Sequence, residues 1–223
     1  LMVVSCLVTL ELTGITVSFN SAPLEWWLSL PIIVVYPLLF GWVSYQTATK
    51  LAEHKRRLQV MSTRDGMTGV YNRRHWETML RNEFDNCRRH NRDATLLIID
   101  IDHFKSINDT WGHDVGDEAI VALTRQLQIT LRGSDVIGRF GGDEFAVIMS
   151  GTPAESAITA MLRVREGLNT LRLPNTPQVT LRISVGVAPL NPQMSHYREW
   201  LKSADLALYK AKKAGRNRTE VAA

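Results

Sequence analysis

From residue 72 to 90 apolar side chains return every three or four positions, at Trp76, Met79, Leu80, Phe84 and Cys87. That period predicts an amphipathic helix. The next stretch, ATLLIIDI at 94–101, is apolar until Asp100 and predicts a buried strand. Helical spacing returns at 117–131, through Ile120, Leu123, Leu127 and Leu131, and at 197–214, through Trp200, Leu201, Ala204, Leu208 and Ala211. Residues 135–140 and 144–150 read as the arms of a hairpin, and VTLRISVGVA at 179–188 alternates as a strand does. Thr152-Pro153-Ala154-Glu155 has the form of a capping box with proline at the first helical position, so a helix is expected to start there. Helices interleaved with mostly antiparallel strands predict an α/β (α+β) fold built as a two-layer sandwich.

The first 49 residues follow another pattern. WWLSLPIIVVYPLLFGWVSY, residues 26–45, carries no charge, and Trp26, Trp27, Trp42 and Tyr45 stand near its ends. About 20 apolar residues with aromatic flanks predict a transmembrane helix, in which Pro31 and Pro37 are tolerated. Lys50, Lys55, Arg56 and Arg57 follow directly, which places that end on the cytoplasmic side. Residues 15–25 then read as an outer loop and 1–12 as the tail of a further spanning helix, in a fragment that lacks earlier spans. Thr47, Leu51, His54, Leu58 and Met61 recur at a spacing of 4, 3, 4 and 3, as in a coiled-coil seam or an amphipathic connector. The expected division is a membrane anchor or sensor region at 1–49, a helical stalk at 50–64 and a catalytic domain at 65–223.

Charge sharpens the division. The chain carries +4 overall, yet residues 1–49 hold two acids, Glu11 and Glu25, and no Lys or Arg. The basic excess therefore lies wholly in the later part, which would attract anions such as nucleotides, nucleic acid or acidic lipid. Of the two cysteines, Cys6 lies in an apolar run and Cys87 in a helical one. Both are expected to be free thiols, in keeping with a reducing compartment for the later part.

The candidate chemistry lies at two strand ends. Asp100 and Asp102 share one face of a strand by its period of two, and buried carboxylates are rare unless paired or metal-bound. In RFGGDEF, residues 139–145, two glycines precede two acids between apolar runs. Turn chemistry accounts for Gly141 and Gly142 through positive φ, or they clear ground for a ligand lying against the backbone. Asp143 and Glu144 should point to opposite faces. Asp100 with a hairpin acid would supply oxygen ligands to magnesium, which keeps substrate phosphates as further ligands.

Several ordered motifs extend this reading: DGMTGVYNRR at 65–74, IDIDHFKSINDTWGHDVGD at 99–117, RGSD at 132–135, GRFGGDEF at 138–145, ISVGVA at 183–188 and ADLALYKAKKAGRN at 204–217. Together they resemble the GGDEF diguanylate cyclases, which join two GTP molecules into cyclic di-GMP. The resemblance implies a palm-like nucleotidyl-cyclase sandwich, Mg2+ (two per active site, with Mn2+ as an alternative) and a homodimer with one GTP per subunit. It implies no nucleic-acid partner. Within it Asp100, the Ile101 carbonyl and Asp143 match the metal ligands. Glu144 matches the base that prepares the ribose 3′-hydroxyl, with a metal contact as the alternative, and Lys105 matches the transition-state lysine. Asn108 and Asp117 match the pair that reads the guanine edge, and His113 lies in the same loop. Gly141 and Gly142 would lie against the GTP, and Lys212 and Arg216 match the phosphate-binding pair.

Arg132 and Asp135 form an RxxD that, by the same resemblance, matches the family's product-inhibition site for cyclic di-GMP, and Arg163 matches a further arginine of that site. Thr159 stands where relatives often carry another arginine. The family also implies a second-messenger role in biofilm or motility control. With the apolar N-terminus, it implies a multi-pass protein of the inner (cytoplasmic) membrane with its catalytic domain in the cytoplasm. Two other readings stay open: a GGDEF module that binds GTP or cyclic di-GMP without turnover, and a generic palm-type cyclase or polymerase.

Overall fold

The computed structural model describes residues 6–10, 15–19, 35–61, 63–173, 176 and 178–222. The chain divides into two compact units, Leu1–Met61 and Ser62–Ala223.

In the first unit β1 (Cys6–Leu10) pairs antiparallel with β2 (Ile15–Phe19). This corrects the expectation of a helix tail followed by a loop. Val8, Thr9, Ile15, Thr16 and Val17 are β-branched and favour the extended backbone. Helix α1 (Tyr36–Met61) follows. It takes up residues 36–45 of the expected span but runs on through Lys50, Lys55, Arg56 and Arg57, so its apolar stretch is short. Among the described residues no helix is long and apolar enough to cross a membrane. Residues 26–34 of the expected span lie outside the described residues. The expected stalk falls within α1 up to Met61.

The second unit is built on a six-stranded sheet of order β3-β5-β6-β4-β7-β8. Its strands are β3 (Tyr71–Asn72), β4 (Ala94–Ile101), β5 (Val136–Arg139), β6 (Glu144–Ser150), β7 (Ile183–Pro189) and β8 (Thr219–Val221). The four inner strands pair antiparallel, and β3 and β8 add parallel edges. All eight residues of β4 are buried, and that requires cover on both faces. Leu96 and Ile98 pack with Ala146 and Ile148 against α2 (Arg73–His90) and α6 (Tyr197–Lys213). Leu97 and Ile99 pack with Phe145 and Val147 against α4 (His113–Thr130) and α5 (Ala154–Thr170). The sheet therefore lies between two helical layers, not under one. Trp76 of α2 and Trp200 of α6 are fully buried, and each donates its indole N–H to a strand carbonyl, Val136 at 3.2 Å and Ala188 at 2.8 Å.

Local differences have local causes. A short helix, α3 (Phe104–Trp111), lies where no element was expected, and α4 begins at His113 rather than near 117. Gly112, with φ of 88°, separates the two. The Thr152 hydroxyl donates to the Ser150 carbonyl, so α5 starts without the side-chain cap its sequence suggested. Strand β7 begins at Ile183, opposite Ile101 where β4 ends; Val179 and Leu181 are buried with no ladder partner among the described residues. Cys87 is a free, buried thiol whose pKa is pushed up to about 12 by burial and by the Glu83 carboxylate.

Candidate active site

The end of β4 sets the geometry. In register Asp100 stands opposite Glu144 of β6 on one side and Ser184 of β7 on the other. Counting in twos from Leu96 and Ile98, Asp100 faces the layer of α2 and α6. From that layer Lys212, in the last turn of α6, places its Nζ 2.7 Å from Asp100 Oδ2. Burial pushes the Asp100 carboxyl above its ordinary range. The Lys212 ammonium pulls it down, and the charges of Asp143 and Glu144 push it up again. On the same face Asp205 of α6 is also raised, by burial first and then by Glu144, against the pull of Arg73.

Asp102 does something else. It is buried, accepts from the Ser184 hydroxyl at 2.6 Å, and accepts from the Asn217 amide at 2.8 Å. The two strand-end carboxylates therefore part company. Asp102 fastens the turn after α6 to the sheet, and Asp100 is left facing the hairpin acids. Ser184→Ala is expected to cost about 1–3 kcal/mol, because a buried carboxylate oxygen loses its donor. Urea unfolding monitored by tryptophan fluorescence reads this.

Between β5 and β6 the chain turns at 140–143. The amides of Phe140 and Gly141 both donate to the Glu144 carbonyl, at 2.8 and 3.2 Å. Neither Gly141 nor Gly142 lies in the left-handed region, so positive φ is not what these glycines supply. A Cβ on Gly141 would stand 3.0 Å from Glu144 Oε2, and one on Gly142 would meet nothing within 4 Å. At Gly141 the missing Cβ leaves clearance beside Glu144. The Asp143 carbonyl accepts from the Ile101 amide at 3.3 Å, which ties two of the expected ligand residues together.

Arg139, which had no role in the sequence reading, holds this turn. Its Nε and Nη2 donate to the Gly142 carbonyl at 3.2 and 2.8 Å, and its Nη1 pairs with Asp65 Oδ1 at 3.2 Å. Asp65 also accepts from the amide and hydroxyl of Thr68. Burial pushes its carboxyl up, but the Thr68 bonds and Arg139 outweigh that and hold it below the usual range. The available signal was a lone cation in an otherwise apolar strand.

Asn108, on α3, buries an Oδ1 that has no hydrogen-bond partner. A Cβ at Gly116 of α4 would collide with that oxygen. Asp117, the next residue, is exposed, as are His113 at the head of α4 and Lys105 in the first turn of α3. A groove of about 690 Å³ along α4 takes in Asp117 but not Asn108. Arg216 is exposed in the turn after α6, with φ of 59°.

Away from these residues, Arg132, Asp135, Thr159 and Arg163 line one cavity of about 200 Å³. The Asp135 carboxylate accepts from the Arg132 amide at 2.9 Å, and its other oxygen is buried without a partner. Burial raises its pKa against the pull of Arg132. Thr159 spends its hydroxyl on the Glu155 carbonyl of its own helix.

Comparison with known proteins identifies the family. Residues 62–218 match the family model described as "Diguanylate cyclase, GGDEF domain". The chain is 99% identical over 223 residues to "Probable diguanylate cyclase DgcC" of Escherichia coli, and spans 60% of that relative's length. It is 35% identical over 159 residues to the E. coli diguanylate cyclase DosC, covering 70% of this chain and 34% of that one. Among solved structures, the GGDEF domain of DgcB from Caulobacter crescentus in complex with c-di-GMP superposes with a TM-score of 0.68 at 30% identity, covering 72% of this chain and 93% of that one. With its ordered motifs set on a six-stranded sheet and Asp100 facing Glu144 beneath the glycine turn, the chain belongs to the GGDEF-domain diguanylate cyclase family.

Proposed function

We propose that the chain condenses two GTP into cyclic di-GMP, releasing two pyrophosphates, in a homodimer with one GTP per subunit. The observation that carries this reading is the cross-strand pair of Asp100 and Glu144, one held by a lysine and the other beneath a cleared turn.

The residues fit a divalent cation. Asp100 is buried beside two other negative charges and already draws a cation, the Lys212 ammonium, to 2.7 Å. Among the described residues no group of three or more His, Cys, Asp or Glu side chains stands ready to hold an ion. Two carboxylates and the Ile101 carbonyl, completed by substrate phosphate, match what magnesium accepts. When bound there by Asp100, Asp143 and Ile101, magnesium or manganese would offset charge building on the α-phosphate.

The side chains supply the rest. Asn108, with its unpartnered Oδ1, and Asp117 receive the guanine edge. Glu144 takes the proton of the ribose 3′-hydroxyl. The freed oxygen forms a bond to the α-phosphorus of the partner subunit's GTP. The bond from that phosphorus to the bridging oxygen breaks, and pyrophosphate leaves. Lys105, Lys212 and Arg216 stabilise the transferring phosphoryl group and the leaving group. A second transfer in the opposite sense closes the ring.

Incubation of the chain with GTP and Mg2+, with products separated by chromatography, tests the reading. Cyclic di-GMP and pyrophosphate should form; GTP binding without turnover would overturn it. Added cyclic di-GMP should slow the reaction through the cavity at Arg132 and Asp135. Arg132→Ala is expected to raise the concentration needed for half-inhibition at least about tenfold, since it removes a charged, bidentate anchor.

A further inference from the structure

The ion pair between Lys212 and Asp100 has a consequence for the order in which ligands enter. Asp100 is more buried than Asp143 and Glu144, with its side chain 10% exposed, and Lys212 approaches it from the wetter side at 33%. The register partner of Asp100 on β6, Glu144, is another acid, and the Lys212 ammonium stands 2.7 Å from Asp100 Oδ2. Lys212 is therefore the local counter-charge. Its backbone is held in place independently. Ala211 beside it is fully buried, the Arg216 amide donates to the Ala211 carbonyl at 3.0 Å, and Asp102 grips the Asn217 amide. The ammonium sits on a flexible stem from a fixed anchor, so it can change partner without moving α6.

Resting on the magnesium reading above, we propose that Lys212 is an exchangeable counter-cation that keeps a bare divalent ion off Asp100 until a polyphosphate arrives. A divalent ion entering alone must evict the ammonium from a buried carboxylate, leaving two cations side by side. A nucleoside triphosphate brings anionic oxygens within reach of the end of α6. Lys212 then passes from carboxylate to phosphate, and Asp100 is freed in the same event. Metal and nucleotide thus enter as a unit, and the site does not load idly with metal.

The test measures Mn2+ binding to the whole chain by the electron paramagnetic resonance of free Mn2+. Without nucleotide, Lys212→Met is expected to bind Mn2+ at least tenfold more tightly than the wild type. Lys212→Gln, a second uncharged variant, should do the same, and Lys212→Arg should stay near the wild type. Adding Asp100→Asn to Lys212→Met should abolish the gain. Wild-type Mn2+ affinity should rise on adding a non-hydrolysable GTP analogue. If the uncharged variants bind Mn2+ no better than the wild type, while Asp100→Asn still weakens Mn2+ binding in the presence of the analogue, the exchange is wrong and the metal site stands. If Asp100→Asn leaves Mn2+ binding with the analogue unchanged, the metal reading falls and the exchange falls with it.

Discussion

Glu144→Gln is expected to lower cyclic di-GMP formation by about 10²–10⁴-fold, the range supplied by a positioned general base. The substitution keeps the shape of the side chain and removes only its charge and basicity. Stability should not fall. Glu144 stands opposite Asp100, and its charge raises both Asp100 and Asp205, so neutralising it relieves repulsion among like charges. The melting temperature should therefore hold or rise while kcat collapses, a combination that a damaged fold cannot produce. GTP binding, read by calorimetry with Ca2+ in place of Mg2+, should change little. Activity within tenfold of the wild type would remove Glu144 from the proton-transfer role. A loss that extra Mg2+ restores would move it to the metal instead.

Where the sequence was legible and where it was not follows from how local each cause is. Helices α2 and α6 were readable because burial imposes a period, which Trp76, Leu80, Trp200 and Ala204 all obey, and strand β4 was readable as an unbroken apolar run. The second helical layer was signalled by the same strand: Leu96 to Ile99 are apolar at both parities, as a strand covered on both faces must be. Asp100 and Asp102 could not be told apart by spacing. Ser184, Asn217 and Lys212, which separate their roles, lie 82 to 115 residues away along the chain. Asn108 was placed by motif alone. Its unpartnered oxygen over Gly116 is a fact of how α3 meets α4 across Gly112. The capping motif at Thr152 failed for a similar reason, because the Ser150 carbonyl competes for the same hydroxyl.

Arg139→Ala is expected to cost about 10²-fold in kcat, the scale on which a reacting group displaced by about 1 Å loses rate. The argument rests on what the guanidinium joins. Two of its nitrogens hold the Gly142 carbonyl from one side, and the third holds Asp65, a residue 74 positions earlier in the chain. Asp65 in turn closes its own turn, through Thr68 and through its amide on the Val70 carbonyl at 2.8 Å. Phe140 anchors the near end of the turn edge-on against Trp76 at 5.5 Å, but Gly141 and Gly142 carry no side chain, so Arg139 is the brace of the far end, placing Asp143 and Glu144 without touching the reacting atoms. The pair is half shielded, with side chains 14% and 24% exposed, so salt should screen it little. Lysine cannot serve both partners, because a single ammonium lacks the planar fork; Arg139→Lys should fall nearly as far as the alanine variant. Asp65→Asn keeps the Gly142 bonds and should lose less. The Asp65 carboxyl is held below its ordinary value, so its contribution is complete above that value and is lost as pH falls through the depressed folded one. Acid below about pH 4 should therefore weaken the wild type more than Asp65→Asn. A brace acts on rate more than on binding, so kcat should carry the loss and KM for GTP should move little. If KM alone rises, or Arg139→Ala keeps activity within threefold of the wild type, the turn holds itself and the brace has no part in the reaction.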